Sequence, residues 1–386
     1  MDKKESGRPR TFESDPVEWA LSLDPSERLG SRHHTVPVAY LRHFALSERL
    51  LVRPRKGGPI QSRNIRDLGI KDFYTILRDD GTPDAGTEQI LGVVEGAVAP
   101  ILDRLINPLL TRRRLDADEM MTLAQFIGFQ MVRGAGHRRE QELMADYMAK
   151  LTVARVDTPG KRRKPGSKRN PSRQSISVKE LTRVQVIGHQ NEYIRNLGNL
   201  AEEMFRHLVD RPAAVVEISG PLFVTCDEPV LVNIEGDHVQ HRQECFEAPR
   251  ERRIRVAREV RKTGEFKQVV HVYPTRPSGV AAAEEVALTL SPRHLLILGE
   301  RGAPGPNYVC LDKEESNHLA RQVNGMLAGQ AFDWIAARPD HPSFDQIEVP
   351  PVGPLVRVCG GGTPLSEALE VAPNPRRPGR FRKDWP

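Results

Sequence analysis

Glu88 and Glu95 stand seven residues apart in a stretch where Leu91, Val94, Val98, Ile101, Leu102 and Leu105 recur at helical spacing. Glu88, Gly92, Glu95 and Ala99 fall at i, i+4, i+7 and i+11, which puts both carboxylates on one stripe beside the apolar face. The small residues between them leave room for something to approach. Two carboxylates so placed can hold a metal or act as acid and base; they could equally be the solvated flank of an amphipathic helix. Phe126, Gln130, Arg133 and His137 repeat the same spacing further along. If that second stripe faces the first, Arg133 pairs with a glutamate, or grips a phosphate or carboxylate once the pair is displaced. His33 and His34 precede a helix start at Pro37. An imidazole there tends to stay neutral, fit for a base or a metal ligand, or simply closes a turn. Asp227 ends a β-like run before Glu228-Pro229, a place for a metal ligand or for ordinary turn chemistry.

The elements that must position these groups are mostly helices in the first half. The spacing predicts a helix over 36–47, opening at Pro37, a short strand over 49–54 before the Lys56–Pro59 turn, and a helix over 87–109 with Thr87 as N-cap. A helix over about 116–151 opens with Asp116 and Glu119 in capping-box spacing. Gly128, Gly134 and Gly136 within it either allow close packing or interrupt it. A further helix is expected over 177–209 and a short one over 15–29. After Pro212 the texture changes to β-branched runs over 213–218, 222–225, 230–234, 269–273, 286–290 and 295–298. A closing helix is expected over 312–337, starting at Asp312. The fold class is therefore α+β: a long-helix bundle packed with a C-terminal antiparallel or mixed β region. One domain over 15–338 is expected, with a helical part 15–210, a strand-rich part 211–311 and a closing helix 312–338. Residues 1–14, the basic loop 155–175 and the Pro/Arg-rich tail 339–386 are expected to be disordered or extended.

The net charge of +6 is local in origin. Residues 155–173, 250–262 and 376–384 carry net charges of +7, +5 and +4, leaving about −10 for the rest. That asymmetry fits an anionic partner such as nucleic acid, or solubilising loops. Lys161, Arg162, Arg163, Lys164, Lys168 and Arg169 are the candidate phosphate-binding residues. No aromatic residue lies among them, so binding there would be salt-sensitive and poor in sequence specificity. His238, His241 and Cys245 have metal-compatible spacing in a polar stretch. Cys226, Cys245, Cys310 and Cys359 include no Cys-x-x-Cys pair, which fits free thiols in a reducing compartment. No apolar run of about 18 residues and no secretory leader is seen, so a cytoplasmic location without membrane contact is expected. The P-loop, dinucleotide, zincin and nucleophile-elbow motifs are absent, which removes the usual support for those chemistries.

His34-Thr35-Val36-Pro37-Val38-Ala39-Tyr40-Leu41-Arg42-His43-Phe44 resembles the His-x-Val-Pro-x-x-Tyr-Leu-x-x-Phe signature of a bacterial family of unknown function. The likeness continues through Asp72-Phe73-Tyr74, the helix with Glu88 and Glu95, the Phe126–Arg133 segment and Phe223-Val224-Thr225-Cys226-Asp227-Glu228-Pro229. Asn317 or Asn324 matches a later helical asparagine, and the long basic insertion and the tail depart from the pattern. The resemblance implies an architecture over about residues 33–338, and no activity.

The leading expectation is a metal-assisted hydrolase of nucleic acid. His34, Glu88, Glu95 and Asp227 would supply the base and ligands, and Arg133 would stabilise developing negative charge. Magnesium or manganese would sit on Glu88, Glu95 and Asp227. The alternatives are a non-catalytic nucleic-acid-binding or regulatory protein, and a small-molecule enzyme with its pocket between helices and sheet.

Overall fold

Apolar residues on alternate positions of the strands face opposite ways, and here both faces are covered. A computed structural model describes residues 33–71, 76–77, 83–84, 86–107, 114–157, 186, 190–233, 271–274, 280–300, 308–351 and 355–359. The expected helix 15–29, Asp72-Phe73-Tyr74, the His238–Cys245 stretch and the six basic residues Lys161, Arg162, Arg163, Lys164, Lys168 and Arg169 lie outside the described residues.

The described residues begin with β1 (His33–His34), α1 (Val38–Arg42), the hairpin β2 (Arg49–Pro54) and β3 (Gln61–Asn64), β4 (Ile70–Lys71), β5 (Ile76–Leu77) and β6 (Pro83–Asp84). Among the described residues four helices follow: α2 (Gly86–Leu105), α3 (Ala117–Val132), α4 (Ala135–Asp157) and α5 (Gln190–Arg206). Next come β7 (Ala213–Glu217), β8 (Thr225–Cys226), β9 (Val230–Asn233), β10 (His271–Pro274), β11 (Glu285–Ser291), β12 (His294–Leu298) and β13 (Tyr308–Cys310). Helix α6 (Lys313–Gln330) and strands β14 (Trp334–Ala337) and β15 (Val356–Cys359) close the described residues. The architecture is α+β.

Five strands form a mixed sheet in the order β13-β7-β12-β11-β9, with only β13 and β7 parallel. Four form an antiparallel sheet in the order β3-β2-β14-β8. Val215, Val230, Val232, Leu296, Leu298, Trp334 and Ala336 join one core with residues of α1, α2 and α3. Their neighbours Val216, Leu231, Leu295, Ile335 and Ala337 join a second core with Ala320, Val323, Leu327 and Ala328 of α6. Burial on both faces is why these strands read as continuous apolar runs. A one-residue slip of register would exchange the two cores.

Several expectations need correction. The closing helix stops at Gln330, and Trp334–Ala337 is instead the inner strand β14, paired with β2 and β8. The backbone leaves the helix at Ala331 (φ −46°, ψ 137°). The helix expected over 116–151 is two helices, broken at Arg133-Gly134. Of the span 36–47 only Val38–Arg42 is helical, and of 222–225 only Thr225 belongs to a strand. Within the tail, Val356–Cys359 pairs antiparallel with β10.

Helix α3 is capped by the box that Asp116 and Glu119 form, each side chain accepting from the other's backbone N–H at 2.9 Å. It packs on α5 at Gly128, where an added Cβ would come within 2.8 Å of the Ala201 carbonyl oxygen. Glycine is thus what lets the two helices approach there. Helix α4 is unusual: Arg138, Arg139, Glu140, Asp146 and Lys150 are all buried. Arg138, Arg139, Asp146 and Lys150 are paired rather than stranded, through Arg138–Glu142, Arg139–Glu142 and Lys150–Asp146.

Candidate functional site

Glu95 lies on α2 and Arg133 caps the C-terminal end of α3, and the packing of these helices joins them. Arg133 Nη1 donates to Glu95 Oε1 at 2.6 Å, with the arginine side chain 1% exposed and the glutamate 26%. The Gln130 amide, one turn back on α3, lies against the same guanidinium, and since a guanidinium only donates, the amide is assigned with its oxygen towards it, accepting from Nε at 2.7 Å and from Nη2. The two stripes recognised in the sequence therefore meet.

Glu88, two turns before Glu95, completes the group. Its carboxylate accepts a hydrogen bond from the His34 backbone N–H, while Oε2 is buried with no hydrogen-bond partner. Burial pushes its pKa up to about 7, and the negative charge of Glu95 pushes the same way; Arg133 and the His34 N–H oppose the rise. A cluster of one arginine and two carboxylates, one of them titrating near neutrality, is an arrangement able to take up and release a proton. On the same flank of α2, a Cβ added at Gly92 would meet nothing within 4 Å.

His34 enters this group through its backbone. Its imidazole points elsewhere, with Nε2 3.1 Å from the Arg66 carbonyl, to which it can only donate. Asp227 is buried, and its carboxylate is engaged by the backbone that follows α6. Its Oδ1 accepts from Phe332 N at 2.9 Å and its Oδ2 from Asp333 N at 2.6 Å. Burial, aided by the charge of Asp333, pushes the Asp227 carboxyl up to about 6, against three backbone hydrogen bonds. Asp227 thus pins the place where α6 gives way to β14. Among the described residues no three His, Cys, Asp or Glu side chains converge as a metal-binding group.

The strand-rich half reaches the helices through the next residue, Glu228, which the sequence reading did not single out. Its Oε1 accepts from Gly136 N at 2.6 Å and from His137 N at 3.2 Å, at the N-terminus of α4, where a carboxylate is favoured. A Cβ on either Gly134 or Gly136 would fall within 2.5 Å of that oxygen. The pair of glycines after Arg133 was the signal available in the sequence: they make room for a carboxylate. His137 follows, with its Nδ1 3.7 Å from Glu140 Oε2 and its Nε2 buried without a hydrogen-bond partner.

An α+β scaffold that buries an arginine–glutamate cluster at the junction of two helices defines a class by architecture and by site. Residues 32–257, more than half of the chain, match the family described as protein of unknown function (DUF4238), and the chain belongs to that family. No curated protein and no solved structure matches it.

Proposed function

We propose that the protein hydrolyses phosphodiester bonds in nucleic acid, with Glu88 as the general base. The observation that carries this reading is the state of Glu88: a carboxyl titrating near 7, with one oxygen buried and unpartnered, in a cluster with Arg133. A base works best when its pKa lies near the working pH. A phosphate competing with Glu95 for Arg133 would exchange one anion for another at the same guanidinium. The basic segments at 155–173, 250–262 and 376–384 would hold the polymer.

If magnesium or manganese is required, Glu88 and Glu95 would be its ligands on one helix, and Glu88 would then act as a ligand in place of its role as base. Asp227, whose two oxygens already accept backbone hydrogen bonds, is a positioning residue on this reading. His34 holds Glu88 by its backbone.

The test is cleavage of labelled single- and double-stranded DNA and RNA, with and without magnesium or manganese. The expected outcome is cleavage that rises as the pH passes about 7 and falls at least 100-fold in Glu88→Gln, since general-base catalysis contributes about 100- to 10,000-fold. All substrates intact, or full activity in Glu88→Gln, would sink the reading. Intact substrates that nevertheless bind in a salt-dependent way would establish a binding protein instead.

A further inference from the structure

One basic surface belongs to the fold itself. Residues 42–66 hold seven Lys and Arg against one acidic residue, Glu48. Two of the seven are spent inside the protein. Arg53 donates to the carbonyls of Phe344, Asp345 and Ile347, and Arg55 to those of Ala328 and Ala331. The other five, Arg42, Arg49, Lys56, Arg63 and Arg66, are exposed. They run from the end of α1 along the β2–β3 hairpin to the turn beyond it. Strand β3 pairs with β2 alone and forms the edge of its sheet.

Contacts tie this surface together and lead from it to the glutamate cluster. Ser47 (φ 51°) and Glu48 (φ 59°) form a tight left-handed turn, closed by the backbone groups of Leu46 and Arg49 at 3.0 and 3.1 Å. The turn sets the Glu48 carboxylate between two guanidiniums. Its Oε1 lies 3.3 Å from Arg42 Nε and its Oε2 3.7 Å from Arg66 Nε, and those arginine side chains are 55% and 71% exposed. The Arg66 carbonyl accepts from His34 Nε2 at 3.1 Å, and the His34 backbone N–H donates to Glu88. Arg66 is thus two hydrogen bonds from the carboxyl read as the base. Ion pairs this exposed are worth little, so a stronger anion can take the place of Glu48.

We propose that Arg42 and Arg66 grip phosphates of a nucleic-acid backbone, and that Glu48 occupies their forks until the polymer displaces it. The planar guanidinium matches a phosphate bidentately, which a carboxylate between two arginines only imitates. Arg49, forked on Ser62 of the edge strand, and Lys56 and Arg63 continue the positive charge along the hairpin. Residues 45–71 contain no aromatic side chain, so bases find no stacking platform there. The grip is therefore on the backbone, indifferent to sequence and sensitive to salt. Only the place of the polymer beside Glu88 rests on the hydrolysis reading.

The experiment is fluorescence anisotropy of the full-length chain with labelled single-stranded RNA and DNA of mixed sequence, across a range of salt and with a chelator present so that the strands stay whole. The double variant Arg42→Gln, Arg66→Gln should weaken binding to every sequence. Its slope of log affinity against log salt should flatten by about 1.4–1.8, at roughly 0.7–0.9 per contact. Arg195→Gln, Arg206→Gln removes two exposed arginines of α5 that are also held by glutamates, and should leave the slope as it is. Glu48→Gln should tighten binding about two- to fivefold, the competition an exposed ion pair offers. A gain of affinity cannot come from a misfolded chain, so this variant decides even if the double variant fails to fold. No binding by the wild type, an unchanged slope in the double variant, or unaltered affinity in Glu48→Gln overturns the surface. So does polyglutamate that competes as well as RNA at equal charge, which would make it a site for an acidic protein. The cleavage assay separates the two readings. A flattened slope with no strand ever cut keeps the surface and sinks the hydrolysis, whereas cleavage with an unchanged slope does the reverse.

Discussion

At the residue scale, Glu88 is the group whose protonation the fold alters in the functionally suggestive direction. Its folded pKa is raised from 4.5 to about 7, mainly by burial. The folded state therefore holds the proton more tightly than the unfolded chain between these values. The stability this contributes is full below 4.5 and is lost as the pH rises through about 7. Glu88→Gln cannot ionise but can still accept the His34 N–H. The variant is expected to be more stable than the wild type at pH 8 by about 1–2 kcal/mol, allowing for its partial exposure. Near pH 5 most of that gain should be gone. Denaturant melts at the two pH values measure the difference, and equal gains at both would mean that Glu88 titrates normally. A side chain held against its own stability at neutral pH is what a proton-transfer site would require.

At the element scale, joints between distant segments carry the architecture, and several residues of the family-like motifs serve there. The Tyr40 hydroxyl meets Thr225 Oγ1 at 2.8 Å, and Asn324 bonds Val224 N and the Leu222 carbonyl. Asp227 holds the N–H groups of Phe332 and Asp333. Removing that carboxylate leaves two backbone donors unpaired where α6 turns into β14. Asp227→Ala is expected to cost on the order of 2–4 kcal/mol, and Asp227→Asn, which keeps one acceptor, less. Thermal or denaturant unfolding checks this, and an unchanged midpoint in Asp227→Ala would show that the turn holds itself.

The same joint explains what the sequence did and did not disclose. The strand 49–54 and the glutamate stripe were legible because local periodicity fixes them. Leu327, Ala331 and Ile335 keep helical spacing across a break whose cause, Asp227, lies more than a hundred residues earlier in the chain. Helix α4 is polar by composition yet buried, because its charges pair among themselves. Periodicity cannot reveal that. The link from Glu228 to Gly136 is likewise a tertiary contact that only the glycine pair hinted at.

At the scale of the whole molecule, charge is separated along the chain: three segments together carry +16, against about −10 elsewhere. Among the described residues no helix is long and apolar enough to cross a membrane. If the basic segments track a phosphate backbone, each contact releases condensed counterions and steepens the salt dependence of binding. Replacing Lys161, Arg162, Arg163, Lys164, Lys168 and Arg169 together by glutamine should then lower affinity for DNA and RNA of any sequence. Where all six touch phosphates, the slope of log affinity against log salt should flatten by about 4–5, at roughly 0.7–0.9 per contact. Fluorescence anisotropy between 50 and 300 mM salt, taken as about the usable range, measures that slope. The substitutions lie outside the helices that carry Glu88, Glu95 and Arg133, so the Glu88 carboxyl should keep its titration near 7. A flattened slope with that titration intact would separate holding the polymer from acting on it. An unchanged slope would make the segment a solubilising loop and move any nucleic-acid contact to the two other basic segments.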